Sequence, residues 1–352
     1  MGLGRTRGVG LIGLEGLVVE VEVDVSQGLP AFTIGGRPDP SCAQAPDRVR
    51  AAASNSGYAV PPRRVTVNLS PASVPKVGSG FDLAILVAVL IAEGDIPAGV
   101  AQDVVHIGEL GLDGSVRPVR GVLPMVLAAA GAGARHVVVP VGNANEARLA
   151  TGVQVHPVAE VAELVTRYRA LAAGLAVSAV EEPLVVDGRD ADPPDLADVV
   201  GQAEARLALE IAAAGAHHMF LVGPPGAGKS MLAERLPGLL PTLDTAQALE
   251  VTAIASLAGR VTRFDTLCRR PPFVAPHHGA SMAAIIGGGS GMVTPGAITQ
   301  AHRGVLFLDE APEFRSHVLQ ALRQPMESGT VVVARAAGRF RYPCRFQLVL
   351  AA

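Results

Sequence analysis

Residues 17–25 read LVVEVEVDV, and from Val19 onward valine alternates with Glu or Asp. A period of two predicts a strand with one buried face and one acidic face. Gly28, Leu29 and Pro30 turn the chain, and residues 31–34 predict a second strand. Residues 47–56 have helical spacing, closed by Gly57 where a capping glycine belongs. Residues 64–69 predict another strand. The longest clean apolar run, residues 83–92, lies between Asp82 and Glu93. It is too short to span a bilayer and predicts a buried helix. Residues 104–110 and 115–119 predict strands flanking an Asp113-Gly114 hairpin turn. A helix over 123–134, a strand over 135–141 and helices over 145–150 and 158–171 complete a mixed α/β or α+β half.

Residues 181–198 break the pattern. They hold seven acidic residues, one arginine and three prolines, and predict an extended linker. The domains expected are residues 1–180, an acidic linker over 181–195 and a second domain over 196–352. Helical spacing of Val199, Ala203, Leu207 and Ile211 precedes a short apolar strand at 219–222. Further helices are expected over 244–258 and 280–286, the latter opened by His277 and His278. Short strands are expected over 272–275 and 305–308. Residues 314–327 place Phe314, Val318, Leu322 and Met326 on one helical face. Pro325 is expected to end or kink that helix a turn early. Residues 330–345 predict a hairpin around Ala336-Ala337-Gly338, and residues 346–352 a last strand.

The apolar strand at 219–222 runs into Gly223, Pro224, Pro225, Gly226, Ala227, Gly228, Lys229 and Ser230, with Met231 opening the next helix. This is the phosphate-loop pattern G-x-x-x-x-G-K-[ST] in its proper strand–loop–helix context. Glycines let backbone amides approach phosphate oxygens, and the helix N-terminus adds positive potential. These nine residues are expected to bind ATP, with Lys229 on the β- and γ-phosphates and the Ser230 hydroxyl on Mg2+. Downstream, VLFLDE ends in Asp309 and Glu310. Asp309 is assigned to the metal and Glu310 to orienting or deprotonating the attacking water, so Glu310 and Lys229 are the candidate catalytic residues.

Composition narrows the rest. A net charge of −3 leaves any basic surface local, and with aromatics at 3% the cores must be aliphatic. The N-terminus carries Arg5 and Arg7 without a sustained apolar core, so no secretion signal is read. Cys42, Cys268 and Cys344 are odd in number and far apart, which fits reduced thiols in the cytoplasm. Residues 329–352 hold four arginines and no acidic residue. Arg339, Arg341 and Arg345 alternate with Phe340, Tyr342 and Phe346. Such a hairpin could grip a nucleic-acid backbone, with Arg335, Arg339 and Arg341 as candidate contacts, or it could simply be an exposed edge.

Two resemblances follow from particular segments. Residues 75–90 (PKVGSGFDLAILVAVL) and 106–140 resemble the proteolytic domain of Lon-type proteases, which implies a Lon-like, ribosomal-S5-like α+β fold. In that family's pattern the nucleophilic serine falls on Gly80 and the lysine on Leu123. Ser79 is one place off, so the dyad is absent and the chain is not read as a protease. PPFVAPHHGASMAAIIGGG, PGAITQAHRGVLFLDEAPEF and LRQPMESGTVVVARAAG resemble the YifB/ComM family of magnesium-chelatase-like AAA+ ATPases, as does residues 13–36. That resemblance implies a partial AAA+ domain with a parallel sheet, ATP and Mg2+ as cofactors, a hexameric ring and no membrane partner. It implies DNA as the substrate of a branch-migrating motor, or else a protein partner remodelled as in the chelatases. Residues 329–345 and about 287–303 would face the ring pore. Sensor, arginine finger and lid normally lie beyond the last strand here, so weak hydrolysis and weak ring formation are expected of this chain. A nucleotide-binding module without motor output remains the third alternative.

Overall fold

In a computed structural model the chain divides into two compact units, Met1–Val185 and, in the main, Val186–Thr262 with Thr266–Ala352. The structure describes residues 2–175, 194–259, 266–289, 293–335 and 338–352. Most of the expected linker, residues 181–193, therefore lies outside the described residues, as does the turn at Ala336 and Ala337.

Along the first unit run β1 (Gly2–Ile12), β2 (Glu15–Ser26), β3 (Ala31–Gly35), α1 (Pro40–Ala43), α2 (Ala45–Asn55), β4 (Arg64–Ser70) and α3 (Asp82–Glu93). There follow β5 (Val104–His106), β6 (Glu109–Leu110), β7 (Val116–Arg117), α4 (Val122–Gly131), β8 (His136–Pro140), α5 (Ala144–Arg148), β9 (Gln154–Val158) and α6 (Val161–Ala172). Seven strands make one mixed sheet, ordered β3-β4-β2-β1-β5-β8-β9. The β2 valines point inward and its acids outward, as the alternation predicts. The α3 residues from Asp82 to Leu90 are all buried, and the helix packs on β1 and β2.

Two strands of this sheet escape the period-two reading. On β1 the inward positions are Gly2, Gly4, Thr6, Gly8 and Gly10 rather than large apolar residues. The backbone of α3 comes so close that a Cβ on Gly4 would lie 1.8 Å from the Ala88 carbonyl oxygen. Thr6 donates to the Ala84 carbonyl at 2.9 Å. The glycines are therefore a packing surface, not a loop signal. Strand β9 carries Pro157 and sits at the sheet edge, where a missing N–H is tolerated. The helix expected from residue 158 accordingly starts at Val161.

The second unit contains α7 (Ala203–Gly215), β10 (Met219–Leu221), α8 (Lys229–Ala233), α9 (Leu236–Leu239), α10 (Thr245–Ala258), β11 (Phe273–Val274) and α11 (Met282–Ile286). It continues through β12 (Gly287–Gly288), β13 (Thr294–Pro295), α12 (Ala297–Gln300), β14 (Val305–Leu308), α13 (Ser316–Ser328), β15 (Thr330–Arg335), β16 (Gly338–Pro343) and β17 (Gln347–Ala351). A four-stranded parallel sheet is ordered β10-β17-β14-β11. Val305 and Phe307 of β14 and Val349 and Ala351 of β17 pack with Leu209, Leu232 and Leu236. In α7 the buried positions are Leu209 and Ala212, whereas Leu207 and Ile211 of the expected stripe are exposed. His277 and His278 precede the helix rather than open it. Ser281 is the cap of α11, accepting from the Ala284 amide. Helix α13 runs through Pro325 to Ser328. Val318, Leu322 and Pro325 itself are buried, and that packing outweighs one lost backbone bond in the last turn.

No helix among the described residues is long and apolar enough to cross a membrane.

Candidate functional site

Parallel α/β sheets present their ligand sites at the carboxyl ends of the strands. Gly223 follows the end of β10, and Asp309 follows the end of β14, with β17 between them. The amide of Gly223 donates to the Ala352 carbonyl, so the loop leaves the sheet from a fixed point. Gly226 (φ 80°) and Gly228 (φ 83°) are left-handed. A side chain would strain each by about 1–2 kcal/mol, which is why this turn needs glycine at both. A Cβ on Gly226 would meet nothing within 4 Å, so the backbone conformation and not crowding calls for glycine there.

The chemistry-bearing groups of this loop each hold a hydrogen bond. Lys229 donates its ammonium to the Gly223 carbonyl at 2.7 Å and the Pro224 carbonyl at 3.1 Å. Ser230 donates to the Asp309 carboxylate at 2.8 Å, across 79 positions of sequence. The pairing fits a divalent cation: a hydroxyl and a carboxylate already side by side are two hard oxygen donors of the kind Mg2+ takes. Gln202 reaches over the loop and donates to the Ala227 carbonyl at 3.0 Å. Of the residues before it, Val199 is buried in the core and Val200 is exposed. Met231 packs against the same core. Glu310 is close by but engaged elsewhere, its carboxylate 2.9 Å from His278 Nδ1. No local sequence pattern marks His278 for this contact. The apolar cavity of about 490 Å3 in this unit, lined by Val251, Ile254, Pro272 and Phe273, includes neither Lys229 nor Asp309.

The arginine hairpin divides into two faces. Strands β15 and β16 pair Val332 with Arg341, Ala334 with Arg339 and Arg335 with Gly338. Arg339 and Arg341 share an exposed face with Val332 and Ala334. Arg335 belongs to the opposite face near the tip, and a Cβ on Gly288 would sit 2.6 Å from its guanidinium. Phe340, Tyr342 and Phe346 are buried, and the Tyr342 hydroxyl donates to the Val293 carbonyl at 2.8 Å. The aromatic grip suggested by alternation is therefore corrected: those rings belong to the core and do not face a polymer.

In the first unit, the loop that resembles a protease active site holds no dyad. Gly80 has no side chain, and Leu123 is fully buried, its amide donating to Glu146 at 2.8 Å. Ser79 is hydrogen-bonded to Glu109, and Lys76 is buried with its ammonium on the Pro71 carbonyl. Burial pushes the Lys76 ammonium below the usual lysine range. All three cysteines are free thiols, and burial pushes Cys42 and Cys344 up to about 12.

Residues 195–352 match the family described as magnesium chelatase, subunit ChlI, and residues 21–143 match the subunit ChlI of Mg-chelatase family. The whole chain is 51% identical to an uncharacterized protein of Mycobacterium tuberculosis and covers 69% of it. The chain belongs to the YifB/ComM-like family. It is 42% identical to competence protein ComM of Haemophilus influenzae and to YifB of Escherichia coli, over 97% of its own length and 66% of each of theirs. The chain thus spans about two thirds of these relatives. As a member of this family it is a mixed α/β protein with a P-loop AAA+ domain.

Proposed function

We propose that this YifB/ComM-like chain binds ATP with Mg2+ and hydrolyses it to act on DNA. The observation that carries the reading is the Ser230–Asp309 hydrogen bond beside Lys229. Residues far apart in sequence and suited to a metal-bound triphosphate stand together at the end of a parallel sheet. In this reading Gly223 to Met231 hold the phosphates, and Ser230 and Asp309 hold the metal. Lys229 offsets phosphate charge, and Glu310 orients the attacking water. Bound Mg2+ would supply charge neutralisation on the phosphate oxygens.

Arg339 and Arg341 would contact the DNA backbone through charge alone, since their face carries no aromatic ring. Arg335 enters as a lesser contact. The first unit, residues 1–180, serves as a Lon-like assembly module without peptidase chemistry, residues 181–195 as the connection and 196–352 as the ATPase core. Assembly into a hexameric ring belongs to the same reading. The name of the ComM relative, a competence protein, favours DNA. The chelatase description of the family supports a second reading, a remodeller of a protein partner.

The test is Mg2+-dependent binding of a fluorescent ATP analogue, followed by ATPase rates with and without forked DNA. Binding is expected, lost in Lys229→Ala, with DNA stimulation lost in Arg339→Ala/Arg341→Ala. Binding indifferent to Lys229→Ala and Asp309→Ala would overturn the ATP reading. Stimulation by a protein partner and not by DNA would favour the remodeller.

A further inference from the structure

Strands β8 and β9 close one side of the first unit's sheet, and β9 has a neighbour on one side only. Their parallel register sets His136 beside Gln154 and Val138 beside His156. Gln154 and His156 are two residues apart on β9 and share a face, so both imidazoles stand on the same side of the sheet. The rings meet there. His136 Nδ1 is hydrogen-bonded to His156 Nε2 at 3.1 Å, with ring centroids 5.2 Å apart. Both residues are half-buried.

Other histidines spend their ring nitrogens on the rest of the fold. His106 meets the Tyr168 hydroxyl, His218 accepts from the Leu348 amide, and His302 is held by the Arg345 amide and Glu250. His136 and His156 spend theirs on each other. In such a bond one nitrogen carries the proton and the other aims a lone pair at it. Once that proton moves to the far nitrogen of its own ring, two lone pairs converge on one point. Metal–imidazole bonds of about 2.0–2.1 Å spanning this 3.1 Å separation enclose an angle of about 95–102°, between the octahedral and tetrahedral values.

The surrounding charge admits a cation. Burial, with His136 and Arg167 adding to it, holds His156 below the ordinary histidine range, so its ring is neutral at pH 7. Neutral imidazole is the form that ligates. Arg167 is itself paired with Glu163 and donates to the Pro157 carbonyl at 2.7 Å, so its charge beside the pair is offset.

We propose that His136 and His156 bind a divalent transition ion of the Zn2+ class at the sheet edge, bridging β8 and β9. Imidazole nitrogens suit Zn2+, Cu2+ and Ni2+, whereas Mg2+ takes oxygen donors. Among the described residues no third His, Cys, Asp or Glu joins the pair, so water completes the shell. With two protein ligands the ion exchanges, unlike the closed four-ligand shell of a structural zinc centre. This site is in the first unit and does not depend on the nucleotide reading.

The test uses the full chain. Zn2+ titrated into 15N-histidine-labelled protein should move the His136 Nδ1 and His156 Nε2 resonances together, and Mg2+ at the same concentration should move neither. Resonances of the pair that ignore Zn2+, or that answer equally to Mg2+, overturn the proposal. Calorimetry then assigns the ligands. His136→Ala and His156→Ala should each weaken Zn2+ binding at this site by about tenfold or more, while replacement of the exposed His317 by alanine should leave it within about twofold. Zn2+ affinity untouched by either substitution at the pair overturns it. Should a variant fail to fold, the titration of the wild-type chain still decides.

Discussion

Lys76 stands in a glycine-bearing loop before α3 and Lys229 opens α8 at the end of another, each with a serine close by, yet they end in opposite circumstances. The first loop is closed. Lys76 is buried against the Pro71 carbonyl, Ser79 is taken by Glu109, and Asp82 at the start of α3 is buried against Arg48 at 2.6 and 2.9 Å. The second loop is open. Lys229 and Ser230 are only half-buried, Asp309 is exposed, and their partners are carbonyls and a hydroxyl that an incoming polyanion and its cation could replace. The same residue types serve as internal struts in one unit and as half-buried or exposed groups in the other. What separates them is the following helix. Buried along nearly its whole length, α3 holds its loop against the core, while α8 is short and its first two residues, Lys229 and Ser230, are half-buried.

The strongest way to break this comparison is Arg48→Ala. Burial already pushes the Asp82 carboxyl above its ordinary range, with Arg48 opposing the shift. Leaving that carboxyl without its guanidinium should destabilise the first unit by about 3–5 kcal/mol, read as a lower urea midpoint. Lys229→Ala comes next, with nucleotide affinity weaker by about 100-fold, or about 2.7 kcal/mol, in a titration. Lys76→Met should leave that titration within about twofold; a matching loss would mean that the two loops are not so different. Gly4→Ala forces a methyl against the backbone of α3 and should lower stability by about 1–3 kcal/mol without touching nucleotide affinity.

The smallest effect is a pH slope. His106 is fully buried beside the Tyr168 hydroxyl at 2.5 Å, and burial pushes it down to about 3. The folded state therefore resists protonation that the unfolded chain accepts. This contribution is whole above the unfolded pKa of about 6.5 and falls by about 1.4 kcal/mol per pH unit from there toward 3. Thermal melts at pH 7.5 and 5.5 should differ by about 1.4 kcal/mol from this group, and the difference should vanish in His106→Leu.

Much of this molecule is written in local pattern. The β2 alternation, the apolar run of α3, the phosphate loop and the β14 strand ending in Asp309 need only neighbouring residues to be recognised, because period and turn chemistry act over short distances. Other features depend on what lies across the fold. The glycines of β1 have meaning only against the backbone of α3, and Phe340 and Tyr342 face inward because one side of their hairpin is covered. Arg335 parts from Arg339 and Arg341 because strand register assigns faces. The contact of His278 with Glu310 joins the end of β11 to the end of β14, neighbours in a parallel sheet but 32 residues apart along the chain. Hydrogen bonds and packing between strands depend on distance in space, and only the closed sheet brings those distances down to contact.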